Sequence, residues 1–465
     1  MTSDSHKPVG NNDKRTPRCP GLSWDDLAAT DSRRVPAFLL DDTYRYLGSE
    51  PISTERYTSP EFFQQELEKM WPRVWQFAAR EEELIEPGSV VVYENAGRSY
   101  LLVRQEDGSI RAFHNVCLHR GRKLRTVNGL VNELRCPYHA FTWKVDGSLK
   151  QIPCKWDFEH VESTDMSLPE AQVGRWGGYV FIKEEEGGQT LADYLGPVPE
   201  HFSRWEHEHR YTSSWVGKVV KANWKAAAEA FMEAFHVIAT HPQIMPFTGD
   251  ANSKYSLFGD HVNLAITPFG TSSPHLDNDA LSEQDKMNAF LRHNGRVVPQ
   301  GQTIAVDEGQ SAREAMGAFN RQRFGDMSGR DLDFASDAEL QDALTYNIFP
   351  NFSPWGGFSP AVVYRWRPWP DQDHTLMEVR LLSLPPPGQT SPAAVPMRLL
   401  EEHEPWADAL GVLGSIIDQD MGNLPHVQAG MKVSKNKLLQ LSNYQEVRVR
   451  HFQQTLDKYL NDLLG

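Results

Sequence analysis

Apolar positions along the chain change period several times, and each change marks an element. Phe63, Leu67, Met70 and Val74 recur at helical spacing behind Ser59 and Pro60, which stand at N-cap and first-turn positions. From about residue 87 the texture turns to short β-branched or aromatic runs at 90–93, 100–103 and 110–116. Asn95-Ala96-Gly97 and Asp107-Gly108 separate them with turn chemistry. Another pair, 141–145 and 148–152, is joined by Asp146-Gly147. Together they predict a small antiparallel β domain. Near residue 215 the pattern changes again. Residues 224–241 read as one buried helix that stops at Pro242. Residues 270–340 are polar with few β signals and predict an insertion or lid. Strand-like runs return at 361–366 and 376–382, and 443–464 is helical in period. Residues 1–50, polar and Pro-rich, are expected to be partly disordered or to drape over a neighbour.

Composition narrows the class. The chain has 465 residues, 40% hydrophobic and 23% charged, which suits a soluble protein of two domains. The net charge of −15 lacks the basic footprint of a nucleic-acid binder and disfavours anionic membranes. Residues 1–20 show no apolar signal core, and no run approaches the ~18 apolar residues of a membrane helix. The expected location is cytoplasmic. Four cysteines, Cys19, Cys117, Cys136 and Cys154, are too few for a disulfide framework at this size and point to metal binding or catalysis.

Half of those cysteines lie in one constellation inside the β region. Cys117-Leu118-His119 is followed, sixteen residues on, by Cys136-Pro137-Tyr138-His139. Two thiolates on one iron and two imidazoles on the other make a Rieske [2Fe–2S] centre, whose neutral imidazoles raise its potential. A structural zinc would accept the same atoms, although zinc motifs more often pair Cys with Cys and His with His. Arg120, Arg122, Lys123, Arg125 and Arg135 make this loop region basic on an acidic protein, an expected docking surface for an acidic electron donor.

A second constellation follows at 223–242. Glu229, Glu233 and His236 fall on one face if the helix is regular. His241 lies five residues after His236, a rotation of about 500° on an ideal helix, so the two imidazoles converge only if the helix is irregular, as at a π-type bulge. Two His and one carboxylate on one face of a metal is the non-haem iron solution, with positions left open.

These motifs, Cys117-x-His119 through Cys136-x-x-His139 and Glu233-x-x-His236-x4-His241-Pro242, resemble those of Rieske non-haem iron oxygenases, in particular the large (alpha) subunits of aromatic-ring-hydroxylating oxygenases. The resemblance runs from about Tyr57 onward. It implies an α+β fold: a small antiparallel β Rieske domain beside a larger catalytic domain with an antiparallel sheet and flanking helices, of helix-grip type. The implied division is 1–71 as an N-terminal segment packing on the catalytic domain, 72–192 as the Rieske domain and 193–465 as the catalytic domain. One departure stands out: the family usually has Gly-Trp after the last cluster His, and this chain has Ala140-Phe141.

The resemblance also implies the site. Cys117, His119, Cys136 and His139 hold the cluster, and His236, His241 and a distant carboxylate hold a mononuclear Fe(II). Asp420, eight residues before Gln428, fits the family spacing, with Asp418 as the alternative. Glu233 corresponds to the acidic residue that bridges a cluster His of one subunit, here His139, to an iron His of the next, here His236. That bridge requires an oligomer, a head-to-tail homotrimer, with or without a small beta subunit. Electrons are expected from NAD(P)H through a reductase or ferredoxin, and O2 and a small organic substrate complete the reaction. Phe231, Phe235, Phe349, Phe352, Trp355 and Phe358 are candidates to line an apolar pocket. Oxygenation of an aromatic ring is one outcome. Demethylation or hydroxylation of an aliphatic or quaternary-ammonium compound is a second, and a bare electron carrier is a third.

Overall fold

The computed structural model describes Arg18 and residues 21–162, 166–276, 281–293 and 303–464. Cys19 lies outside the described residues.

Two antiparallel sheets organise the chain. The first has seven strands in the order Gln76–Arg80, Tyr179–Lys183, Glu170–Trp176, Ile110–His114, Arg98–Arg104, Ser89–Asn95 and Gly129–Leu130. A three-stranded sheet, Leu134–Arg135, Thr142–Trp143 and Leu149–Gln151, stands beside it. The predicted hairpins are present: Asn95 pairs with Arg98 across Ala96-Gly97, both at positive φ as a tight turn requires.

The second sheet has eight strands, in the order Lys254–Phe258, Val262–Thr267, Ala343–Ile348, Phe352–Pro354, Ala361–Pro368, Thr375–Ser383, Tyr211–Val220 and Arg398–Leu400. Only the last strand pairs in parallel. Strand Ala361–Pro368 is buried throughout, in line with its largely apolar sequence. Its alternate residues serve two cores. Val362, Tyr364 and Trp366 face helices Trp224–Glu229, Ala407–Val433 and Val447–Leu460. Ala361 and Val363 face Phe77, Tyr179 and Phe181 of the first sheet. Arg365 pairs with its cross-strand neighbour Glu378 and donates to the Phe77 and Ala78 carbonyls at 2.9 Å, tying the two sheets together.

Several expectations are corrected. Residues 21–50 make ordered contacts with their own chain: Trp24 is buried and donates to Asp342, and Lys254 pairs with Asp25. The helix begun at Pro60 is α-helical only to Gln65 and π-helical over Glu66–Met70. There Glu66 is enclosed, ion-paired to Lys225 and accepting from Trp224 Nε1. The polar stretch 270–340 does form an insertion, with helices Glu283–His293 and Ala312–Ser328. Their Met287, Phe290 and Met316 pack with Ile244 and Phe247, just after His241.

The largest correction concerns 224–241. The helix stops at Glu229, and a short helix Val237–Thr240 follows a broken stretch. Glu229 therefore does not share a face with Glu233 and His236. It accepts instead from Tyr57 and Gln453.

Candidate metal centres

The break between Glu229 and Val237 is what lets two imidazoles meet. His236 sits at the N-cap of the short helix and His241 at its C-cap, so the chain turns once between them. Their ring centroids are 5.2 Å apart. Asp420 comes in from helix Ala407–Val433, and its Oδ1 lies 2.9 Å from His241 Nε2 and 3.5 Å from His236 Nε2. One atom from each of the three residues lies within 4.8 Å of the others. Asp420 and His241 are buried, and His236 is half-buried.

Asp418, the alternative carboxylate, is occupied elsewhere. It accepts from the backbone N–H of Trp406 at 2.8 Å and of Ala407 at 3.0 Å, capping the start of its own helix. This is possible because Gly411, at φ 58°, breaks the helix and folds its first turn back on the second piece.

Both imidazoles are held from behind. Glu233 Oε1 accepts from His236 Nδ1 at 2.7 Å, and Gln419 Oε1 accepts from His241 Nδ1 at 2.8 Å. Neither oxygen can donate, so each Nδ1 carries a proton, which would leave each Nε2 to offer its lone pair to a cation held beside Asp420. Gln419 is itself held by Gln243 Nε2 at 2.7 Å. Burial alone would lower the His236 pKa. The hydrogen bond and charge of Glu233 outweigh it, and with Asp420 and Asp250 they raise it to about 9. Gln419, Gln243 and Asp250 were not singled out from sequence. Only the adjacency of Gln419 to Asp420 offered a signal.

The other constellation also gathers its paired side chains. Cys117 and Cys136 are buried, and His119 and His139 stand 4.7 Å apart between ring centroids at the edge of the domain. Each ligand pair sits on a tight turn: Gly121 N–H donates to Cys117 O, and Ala140 N–H to Cys136 O. Burial and the neighbouring Cys136 push the Cys117 thiol up, and burial with His139 and Arg120 nearby pushes His119 down. His119 Nδ1 is buried and has no hydrogen-bond partner. Two neighbouring buried thiols, together with a buried imidazole nitrogen that has no protein partner, suit a two-iron, two-sulfide cluster. The Ala140-Phe141 departure is accommodated: Ala140 adopts φ 60°, a glycine-like conformation, and Phe141 stacks on His119 at 4.4 Å.

Surrounding side chains are partly as expected. Arg120, Arg122 and Arg135 are exposed, with Arg120 over the Tyr138 ring, but Lys123 is engaged by Glu94. The six aromatic candidates scatter. Phe231 packs on Tyr364 and Trp366, joined by Trp355, and Phe349 lies in the same core with Phe452. Phe352 and Phe358 belong to the opposite face of the sheet, and Phe235 is half-buried. They form no single pocket wall.

Residues 201–462, more than half of the chain, match the family model described as the ring hydroxylating alpha subunit, catalytic domain. The chain belongs to that family. Residues 74–162, which contain the first constellation, match the Rieske [2Fe-2S] domain. Among curated relatives, this alpha-subunit chain is 32% identical over 193 residues to the carnitine monooxygenase oxygenase subunit of Acinetobacter baumannii, covering 40% of this chain and 51% of that one. It is 34% identical over 224 residues to the naphthalene 1,2-dioxygenase large oxygenase component of Pseudomonas aeruginosa, covering 45% and 47%. These matches span about half the length of the relatives. A solved quaternary ammonium Rieske monooxygenase bound to L-carnitine shares the fold, with TM-score 0.63 and 18% identity over 89% of this chain and 96% of that one.

Proposed function

We propose that this chain is the terminal oxygenase of a Rieske system, oxidising a small organic substrate with O2. The observation that carries the reading is the convergence of His236 Nε2, His241 Nε2 and Asp420 Oδ1 on one point. A buried His–His–carboxylate set with both Nδ1–H groups already engaged is the donor set of a non-haem iron. In this reading 72–192 holds the cluster through Cys117, His119, Cys136 and His139, 193–465 holds the iron, and 1–71 packs on the latter. A carrier without oxygenase activity needs no second centre, and the catalytic-domain match argues against it.

When bound, the cluster supplies single electrons and the iron supplies dioxygen activation. The chain's own side chains set the stage. Glu233 and Gln419 fix which nitrogen of each imidazole is free. Asp420 adds the negative charge that a divalent cation needs. The two imidazoles and the carboxylate approach from one side, which leaves the other side for substrate and O2.

Transfer between centres is proposed to cross copies of the chain. Tyr138 and Trp156, beside the cluster, are 53% and 75% exposed, and Ile238 and Val427, beside the triad, are 44% and 45% exposed. Two exposed apolar patches, one at each centre, suit a closed head-to-tail ring. A trimer would set His139 of one copy against Glu233 of the next. The exposed arginines round the cluster remain the proposed docking surface for a ferredoxin or reductase fed by NAD(P)H. Among the described residues no helix is long and apolar enough to cross a membrane.

For the substrate we favour a quaternary ammonium compound, in line with the carnitine and glycine betaine monooxygenase relatives. The scattering of the aromatic candidates removes the sequence argument for a flat aromatic ligand. Product analysis with labelled O2, purified protein and a surrogate reductase tests this over carnitine, glycine betaine and naphthalene. Label is expected in a quaternary ammonium product. Label only in a naphthalene diol would move the substrate class to aromatics. No label from any substrate of this panel or of a wider aromatic and aliphatic set, with both metals loaded, would remove the oxygenase reading.

A further inference from the structure

Arg448 is only 1% exposed and lies on helix Val447–Leu460, packed against the broken stretch that carries Glu233 and His236. Its Nε donates to Asn263 Oδ1 at 2.6 Å, and its Nη1 to the Met232 carbonyl at 3.3 Å and Thr345 Oγ1 at 3.2 Å. Its Nη2 donates to the Thr345 carbonyl at 3.0 Å. All of these acceptors are neutral. A buried cation bonded only to neutral groups is costly, and an apolar side chain would fill such a place with less penalty.

Two features give the charge a purpose. Met232 immediately precedes Glu233, so the guanidinium holds the backbone from which that carboxylate springs. Burial lowers the Arg448 pKa, and Tyr255 and then Glu233 act on it through space in the opposite direction. Glu446, at the N-cap of the same helix, is a second carboxylate that feels the charge of Glu233. Without Arg448 the broken stretch would carry unbalanced negative charge beside its own hydrogen bond to His236.

We propose that Arg448 is a positioning residue for the iron site: from its buried place it fixes the backbone of Glu233 through the Met232 carbonyl, and its positive charge offsets that carboxylate's through space. The inference rests on the reading of His236, His241 and Asp420 as iron ligands. It extends the support of the metal to a helix outside both recognised motifs.

The test is a double-mutant cycle on the full-length, cluster-loaded protein. Mononuclear iron is removed, Fe(II) is returned by anaerobic equilibrium dialysis, and the cluster's visible spectrum reports folding. Arg448→Gln is expected to weaken Fe(II) binding about tenfold when Glu233 is present, in the range for groups that support a metal ligand. In an E233Q background the same change is expected to alter affinity by less than about twofold, because the partner charge is already gone. Equal losses in both backgrounds would mean a merely structural role and overturn the proposal. If Arg448→Gln does not fold, Arg448→Lys is read instead. It keeps the charge and is expected to bind Fe(II) within about threefold of the parent, and a tenfold loss in both backgrounds overturns the proposal. A parent protein that takes up no Fe(II) dependent on His236 would refute the ligand reading itself, and the inference with it.

Discussion

Asp418 and Asp420 stand one residue apart on the same helix, and separating their roles tests the site most sharply. Asp418→Ala removes the acceptor of two backbone donors, Trp406 N–H at 2.8 Å and Ala407 N–H at 3.0 Å. Loss of a side-chain cap costs about 0.5–2 kcal/mol, and two donors to an ionised, half-buried acceptor put this case at the upper end, ~2 kcal/mol. In a folding unit of a few hundred residues that is a fall in unfolding midpoint of about 4–8 °C. Iron binding should be unchanged, because Asp418 touches neither imidazole. Asp420→Ala is expected to do the reverse: mononuclear iron is lost, the cluster spectrum persists, and no helix cap is disturbed. The assay pairs anaerobic iron counting after dialysis with thermal melts of the iron-stripped proteins followed by circular dichroism. An Asp420→Ala protein that keeps its mononuclear iron, or an Asp418→Ala protein that loses it with an unshifted midpoint, would refute the reasoning.

Four further outcomes are expected. Gln419→Leu frees the His241 ring from its 2.8 Å tether and should weaken Fe(II) binding by roughly 10–100-fold, read by the same dialysis. Ala140→Gly relieves a left-handed alanine and should stabilise the Rieske domain by about 1 kcal/mol in denaturant titration. Glu66→Gln leaves the buried Lys225 ammonium without its counter-charge and should destabilise by about 3–5 kcal/mol in the same measurement. Burial chiefly raises the Glu229 pKa from 4.5 to about 7, so the folded state holds a proton that the unfolded state has released. Stability should therefore fall as pH rises from about 4.5 to 7 and then level off, by roughly 2 kcal/mol after allowance for partial exposure; Glu229→Gln should flatten that slope in melts across the range.

The parts of the fold legible in sequence were those with strong local signals. The hairpins carried Gly turns, the buried strand 361–368 was largely apolar, and the four proposed cluster ligands stand on two short spacings. The same locality explains the errors. Residues 224–241 have good helical period; the five-residue spacing of His236 and His241 asked for an irregularity, but not for a break right after Glu229, where Arg448 from far along the chain bonds the Met232 carbonyl. The aromatic candidates were grouped by type, whereas strand pleating sends Phe349 and Phe352 to opposite faces of one sheet. The choice between Asp418 and Asp420 depended on Gly411, whose positive φ folds the helix start back onto Asp418.

The spread of each centre along the polypeptide has a consequence for its birth. A ribosome delivers the protein from one end, and early regions acquire structure first. Every cluster ligand has emerged by His139, with its pocket wall complete soon afterwards at Phe158. The triad must wait for Asp420, and its backing for Arg448. On the proposed ligand sets maturation is thus staggered: a cluster would have a home on the nascent chain well before the residues proposed to hold the single iron have all emerged.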